Sequence, residues 1–355
     1  MTSLSASLFM SAVLMGSSAF AAANAQDHND PVTTLPAFPD KPKIENPIAA
    51  DKTPSLEKQA EFAEAMLKVS DLQQVFDTDP LYFSLDGSFS QGGLLFGKAE
   101  PGSTVTLDGD TVMIDEEGNF VLGFGRDSAL SALLVVNAPN GEVERHAIKL
   151  DDRDFPVQRI DGLDQSKVSG FTEEQLAKIA VDSSKKKAAR KTTQKTADWA
   201  AGFDWPVTGR ISGVFGSQRI LNGEPKRPHS GVDVAAATGT PVRAPASGIV
   251  RLAETDMYFE GGLILLDHGH WLESAFLHLS RLDVEPGQRV EKGEIIGAVG
   301  ATGRVTGPHL HWSMKWQGRL VDPQLTAGPM PGDAPAPTAP ATTESASTTA
   351  GSTTD

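Results

Sequence analysis

Three short motifs in the second half of the chain contain residues that could bind a metal ion. They run from Pro228 to Asp233, from Phe276 to Ser280 and from Gly307 to Trp312. Six of the eight histidines lie between positions 229 and 311, and the chain has no cysteine. Without thiolates, a transition-metal site here would need imidazole and carboxylate ligands. Catalytic zinc sites use this ligand set and keep one position open for water.

The spacing of these residues favours strands over helices. His309 and His311 are two residues apart, so on a β-strand both rings leave the same face, whereas on a helix they would diverge. His229 and Asp233 are four residues apart, a spacing that also returns to one face of a strand. We therefore expect the His-x-x-x-Asp motif and the later His-Leu-His motif to converge on one ion.

Together the motifs resemble a known family. His-x-x-x-Asp, an aromatic-x-His-Leu-Ser segment and Gly-x-x-x-Gly-Pro-His-Leu-His resemble the lysostaphin-type (LytM-like) zinc metallopeptidases, which cut peptide cross-links in bacterial cell walls. The similarity covers roughly Trp205 to Pro323, about a third of the chain. By this resemblance the zinc ligands are His229, Asp233 and His311. The catalytic residues that do not bind zinc are, by the same resemblance, His278 and His309.

The resemblance implies an exported endopeptidase that hydrolyses peptide cross-links of peptidoglycan. A zinc-bound water would be the nucleophile, and the two other histidines would act as general base and oxyanion stabiliser, with their individual roles left open. The alternative is a non-enzymatic or autoinhibited activator or scaffold for other cell-wall hydrolases, with envelope proteins as partners. Because all five site positions are filled, the sequence favours the enzyme. Carrier domains with similar folds need no such histidine motifs.

The N-terminus indicates export. Residues 1–25 contain an apolar stretch of small residues that ends in Ala23-Asn24-Ala25, the pattern of a secretory signal peptide. No second run approaches transmembrane length, so we expect no membrane span after signal removal. The predicted location is the periplasm or the cell envelope.

Charge excludes one class of partner. The net charge is −15. Residues 26–155 hold 24 Asp and Glu against 10 Lys and Arg, while residues 201–326 hold 13 against 12. A nucleic-acid partner would require a basic surface, so we expect none.

The remaining segments predict a mainly β protein. Residues 26–53 have the composition of a flexible leader, and residues 54–79 have helical periodicity. Residues 80–155 show short alternating strands separated by Gly-containing turns, which predicts a small immunoglobulin-like β-sandwich that serves as a spacer, or else docks substrate or inhibits the enzyme. Residues 327–355 are mostly Ala, Thr, Pro, Ser and Gly and predict a disordered tail.

Two further segments complete the predicted organisation. Residues 156–202 predict a basic linker that contains a helix, and this helix starts at a capping box formed by Thr172 and Gln175. Its lysine run, Lys185 to Lys187, is interpreted as a solvated helix face, with a grip on an anionic envelope polymer as the alternative. Residues 203–326 predict an antiparallel β domain, and the family resemblance implies a zinc metallopeptidase domain with a β barrel-sandwich hybrid fold and a duplicated hybrid motif.

Overall fold

The computed structural model describes residues 83–161 and 170–331. Within them β-strands dominate, which confirms the predicted fold class. No helix in these two ranges has the length and apolar character needed to cross a membrane. The following predicted segments lie wholly or mostly outside the described residues: the signal peptide (1–25), the leader (26–53), the first helix (54–79) and the tail (327–355).

The first part is a sandwich of seven antiparallel strands. They are β1 (Phe83–Gly87), β2 (Leu94–Ala99), β3 (Thr104–Leu107), β4 (Asp110–Val112), β5 (Asn119–Gly123), β6 (Ser131–Asn137) and β7 (Val143–Lys149). One sheet has the order β1-β2-β5 and the other β4-β3-β6-β7. Alternate residues of β6 are buried, as expected for a strand with one face on a core. The Asp108-Gly109 turn between β3 and β4 has positive φ at both residues, a conformation that Asp and Gly tolerate.

A short strand and two helices connect the sandwich to the second part. These elements are β8 (Val157–Ile160), α1 (Glu173–Ala189) and a 3₁₀ helix (Asp198–Ala201). The predicted capping box is present, because the Thr172 side chain accepts the Gln175 N–H and the Gln175 side chain accepts the Thr172 N–H. Acidic residues in the first turn and lysines in the last turn complement the helix dipole.

The basic residues near the end of α1 are only partly solvated. Lys185 pairs with Glu254 at 2.9 Å, and Lys186 pairs with Glu260. Just beyond the helix, Arg190 pairs with Glu273 at 2.5 Å. All three acidic partners belong to the second part, so these side chains contact carboxylates there, although Lys185 and Lys187 remain exposed to solvent.

The second part contains thirteen further strands. They are β9 (Arg210–Gly213), β10 (Gln218–Leu221), β11 (Glu224–Pro225), β12 (Val232–Ala235), β13 (Pro241–Arg243), β14 (Gly248–Met257), β15 (Gly261–Asp267), β16 (Leu272–Leu279), β17 (Arg281–Leu282), β18 (Arg289–Val290), β19 (Ile295–Ala298), β20 (His309–Trp316) and β21 (Arg319–Val321). The short helix α2 (Pro323–Ala327) follows them. The main sheet has the order β18-β14-β15-β16-β20-β12-β9 with β21 added to β20, and two three-stranded sheets have the orders β13-β19-β17 and β11-β10-β8.

Strand β20 has one face in the hydrophobic core and one face that carries polar side chains. Its alternate side chains Leu310, Trp312, Met314 and Trp316 are each at most 1% exposed and belong to the main hydrophobic cluster. The intervening positions, which start at His309 and His311, lie on the opposite face. The core therefore anchors the strand in one register.

The sandwich packs directly on this second part. Phe96 stacks on Trp199 of the connecting 3₁₀ helix at 5.4 Å, and Arg153 forms a 2.9 Å ion pair with Asp322, the N-cap residue of α2. A Cβ atom at Gly123 would lie 2.8 Å from the Cβ of Trp316, so only glycine allows this approach. One hydrophobic cluster spans both parts. The sandwich is thus a packed neighbour of the second part, which a mere spacer need not be.

Candidate metal centre

Adjacent antiparallel strands bring the predicted ligands together. Asp233 of β12 lies directly opposite His311 of β20, and Ala235 lies opposite His309. His229 precedes β12 and lies in a loop, so the expectation that it shares a strand face with Asp233 is wrong. The loop is held by main-chain hydrogen bonds in which His229 N–H donates to Ser217 O at 2.7 Å and its carbonyl accepts from Gly216 N–H at 2.9 Å.

Three donor atoms converge at the centre of this arrangement. The Nε2 of His229 lies 3.1 Å from Asp233 Oδ1 and 3.1 Å from His311 Nδ1, and His311 Nδ1 lies 2.8 Å from Asp233 Oδ1. Zinc–ligand bonds of about 2.0–2.1 Å at tetrahedral angles separate donor atoms by about 3.4 Å. The three side chains therefore fit one face of a tetrahedral site and could hold a metal ion.

The other nitrogen of each imidazole has a partner that fixes its orientation. His229 Nδ1–H donates to Val214 O at 3.0 Å, and His311 Nε2 lies 3.2 Å from Ser230 Oγ. Each ring can thereby present a lone pair to the centre, which is how outer contacts prepare metal-binding histidines. The sequence motifs did not reveal Val214, which acts through its backbone, nor the contact of Ser230.

Burial and hydrogen bonding set the charge of the cluster. Burial tends to raise the pKa of Asp233, but hydrogen bonds from His229 and His311 outweigh it and hold the pKa well below its usual range. Burial lowers the pKa of His311. A carboxylate and neutral imidazoles are the protonation states that a divalent cation requires.

His278 reaches the same centre through an irregular backbone. It lies at a β-bulge, where β16 places two residues, Leu277 and His278, against Leu263 of β15. Its φ is +68°, in the left-handed region that a non-glycine residue enters only at a cost. Leu277 faces His311 across the strands, so simple alternation would send His278 to the other face. The bulge instead brings its ring to 6.2 Å from the His311 ring.

The two remaining site histidines have similar hydrogen bonding. His278 Nδ1–H donates to Thr302 O at 2.9 Å, and His309 Nδ1–H donates to Gly307 O at 2.9 Å. Their rings lie 4.9 Å apart, and His309 Nε2 is 3.7 Å from Asp233 Oδ1. Burial lowers the pKa of His278 to about 4, so its ring is neutral at pH 7. Because each Nδ1–H is donated to a backbone carbonyl, the Nε2 of each ring is the nitrogen left for another partner.

The other histidines lie elsewhere. His268 and His270 are buried beside the turn between β15 and β16, and their partners are backbone carbonyls and a serine hydroxyl. His146 belongs to β7 of the sandwich, and His28 lies outside the described residues. The structure thus brings together all five predicted site residues.

Comparison with known proteins identifies the family to which the chain belongs. The sequence profile of peptidase family M23 matches residues 227–323. A crystal structure described as an M23 peptidase from Pseudomonas aeruginosa is 30% identical, with a TM-score of 0.53, and the match covers 68% of this chain and 96% of that one. The chain therefore belongs to peptidase family M23, a metallopeptidase family, which confirms the resemblance.

Two curated relatives add detail. A protein named peptidoglycan DD-endopeptidase ShyA, from Vibrio cholerae serotype O1, is 31% identical over 278 residues, which are 72% of this chain and 55% of the relative. A DD-carboxypeptidase/endopeptidase named Mpg, from Neisseria meningitidis serogroup B, is 39% identical over 125 residues, which are 35% of this chain and 29% of the relative. The chain thus spans about half, or less, of the length of these relatives.

Proposed function

We propose that this protein is an exported zinc-dependent endopeptidase that hydrolyses peptide cross-links of bacterial peptidoglycan. The observation that carries the proposal is the convergence of His229 Nε2, Asp233 Oδ1 and His311 Nδ1 within 3.1 Å of one another. The name of ShyA, a peptidoglycan DD-endopeptidase, supports peptidoglycan as the substrate, and the name of Mpg supports endopeptidase activity. Export is required for access to that polymer, and the predicted signal peptide at residues 1–25 would provide it.

Zinc fits the donor set of His229, Asp233 and His311. Two neutral imidazoles and one carboxylate leave a divalent ion with net positive charge and a fourth position for water. Zinc in such a site lowers the pKa of its bound water to about 7 and polarises a carbonyl group. The three residues would hold the ion, and Val214 and Ser230 would orient the two imidazoles.

His278 and His309 would manage the protons and charge of the reaction. Both donate their Nδ1–H to backbone carbonyls, so both direct Nε2 toward the centre as a proton acceptor. A histidine that has taken up a proton can donate it to the leaving amine or stabilise the developing oxyanion. The two residues have equivalent hydrogen bonds, so we assign the acid–base and oxyanion roles to them as a pair.

The alternative is a non-enzymatic activator or scaffold for other cell-wall hydrolases. Such a role would need no metal ligands and no paired histidines. Here all five side chains are in place, with two ligand rings and two further rings individually hydrogen-bonded. The enzyme is therefore the better supported function.

Metal analysis and an activity assay together test the proposal. Full-length protein and a segment of residues 200–326 would be analysed for zinc by mass spectrometry and incubated with purified peptidoglycan. We expect about one zinc per full-length chain and the release of cross-link cleavage products, both abolished by a chelator and restored by zinc. A protein that holds zinc but releases no product, in either form, would contradict the proposal and favour the activator. Faster cleavage by the segment would indicate inhibition by the N-terminal region.

A further inference from the structure

Helix α1 holds the turn between β14 and β15 from the outside. Lys186 forms an ion pair with Glu260 in this turn, and the Asp182 carboxylate accepts the Tyr258 N–H at 2.7 Å. The side chains of Lys186 and Glu260 are only 22% and 14% exposed. Asp182 is buried as well. These charged contacts are shielded from water, so the helix and the turn are tightly coupled.

The same turn leads to His278 by two routes. Glu260 O accepts the His278 N–H at 2.8 Å. Two residues further on, Gly262 N–H donates to Thr302 Oγ1 at 2.9 Å, and the Thr302 carbonyl accepts the His278 Nδ1–H at 2.9 Å. The turn therefore contacts the backbone of His278 directly, and the neighbouring Gly262 contacts the residue that orients its imidazole, Thr302, whose hydroxyl also donates to Leu279 O.

We propose that Lys186 is a positioning residue for His278 and acts through Glu260. This inference rests on the proposed function, because it gives Lys186 a part in the reaction that His278 would serve. Glu260 Oε2 is buried and has no hydrogen-bond partner among the described residues. Without Lys186 the carboxylate would lose its countercharge in a poorly solvated position. We expect the turn to shift toward water and to displace the carbonyl that holds His278.

Lys186 lies outside the segment of the chain that matches the family profile. The M23 profile match begins at residue 227, whereas Lys186 lies about forty residues earlier, on a helix expected from sequence to be only a linker. A displacement of about 1 Å at a catalytic group can lower turnover by up to about 100-fold. The helix would therefore influence turnover without touching substrate or metal.

The test uses three variants of the full-length protein and a soluble cross-linked peptidoglycan fragment as substrate. For Lys186→Met we expect kcat to fall by about tenfold or more, with KM within about twofold and zinc content unchanged. Lys186→Arg keeps the charge and should recover most of the activity. Lys185→Met is the matched control, because Lys185 belongs to the same helix but pairs with Glu254 of β14, away from the turn. It should keep wild-type kcat.

Two further measurements isolate the route through Glu260. Hydrogen exchange of the His278 amide should accelerate by about tenfold in Lys186→Met and stay unchanged in Lys185→Met. In a Glu260→Gln background no carboxylate needs a countercharge, so Lys186→Met should cause no further loss of kcat. Equal losses in the two lysine variants, or a further loss in the Gln background, would overturn the inference. If the wild-type protein holds zinc but cuts no peptidoglycan, the proposed function fails. Unchanged exchange of the His278 amide in Lys186→Met would overturn the positioning role of Lys186 by itself, whether or not the protein is active.

Discussion

Two His-x-His pairs in this molecule have the same spacing and different surroundings. His309 and His311 lie on β20, project from one face and meet the carboxylate of Asp233. His268 and His270 flank the glycine of a tight turn, and each finds a separate backbone carbonyl. The first pair belongs to the candidate metal centre and the second to the packing of the fold.

Backbone conformation accounts for the difference. The extended backbone of β20 sends residues two apart to the same side, whereas His270 has a φ of +52° and leaves the regular strand geometry. The hydrogen-bond partners differ accordingly. Ser274 Oγ accepts from Trp312 Nε1–H, so its own hydroxyl proton can be donated to His268 Nε2, while His268 Nδ1–H donates to Ser247 O. Both nitrogens of His268 are occupied, and no lone pair is left for a metal.

The largest effect in this comparison is expected for His311→Ala. The variant should lose both zinc and peptidoglycan cleavage, because a site with two protein ligands holds zinc far more weakly than one with three. Zinc content by mass spectrometry and product release from peptidoglycan measure the two losses. Retention of both metal and activity would mean that this is not the site.

His309→Ala should separate catalysis from metal binding. We expect about one zinc per chain and a stable fold, with turnover reduced on the order of 10²–10⁴-fold, the usual range for a positioned acid or base. The same two assays apply. A metal-free His309→Ala beside a zinc-containing His311→Ala would reverse the assignment of the two residues.

His268→Ala should affect stability and leave the metal in place. The change removes two buried hydrogen bonds and creates a small cavity, so we expect the free energy of unfolding to fall by about 2–4 kcal/mol. Denaturant unfolding followed by fluorescence measures the loss, and zinc content of the folded variant is the control. Loss of zinc with no loss of stability would remove the distinction between the two pairs.

The smallest effect concerns pH. Burial lowers the pKa of His268 below 6.5, although Asp267 and Asp198 act in the opposite direction. In the unfolded chain the ring binds a proton as pH falls through about 6.5, while the folded protein resists protonation. The unfolding free energy should therefore decline below pH 6.5, by up to about 1.4 kcal/mol per pH unit until the folded pKa is reached. His268→Gln should have a shallower pH dependence over this range, and an identical slope would argue against a neutral buried ring.

The residues of the candidate site could be predicted from the sequence, whereas the contacts that support them could not. His309 and His311 were predictable, because spacing along a strand determines which face a side chain occupies. The position of His278 on this face depends on a β-bulge and a φ of +68°, and nothing in the local sequence signals either. Thr302 fixes His278 through a backbone carbonyl, which any residue type could supply.

The fold was predictable where it depends on local patterns. Alternating strands, the Asp108-Gly109 turn and the capping box at Thr172 follow from residue type and short spacing. The ion pairs of α1 join residues that lie 69 to 83 positions apart. A run of lysines looks the same in sequence whether its partner is water or a distant carboxylate. Only the packed chain reveals which one it meets.

The alternation along β20 works like a reading frame, because a shift by one residue moves every later side chain to the opposite face of the strand. Its first two odd-numbered residues, His309 and His311, belong to the candidate metal centre, and its even-numbered residues form the hydrophobic core. Deletion of Leu310 would shift Trp312 and the residues after it to the opposite face relative to His309, exposing indole rings and burying Lys315. We therefore expect relatives to differ in this strand by substitutions, and to differ in length only in the loops around it.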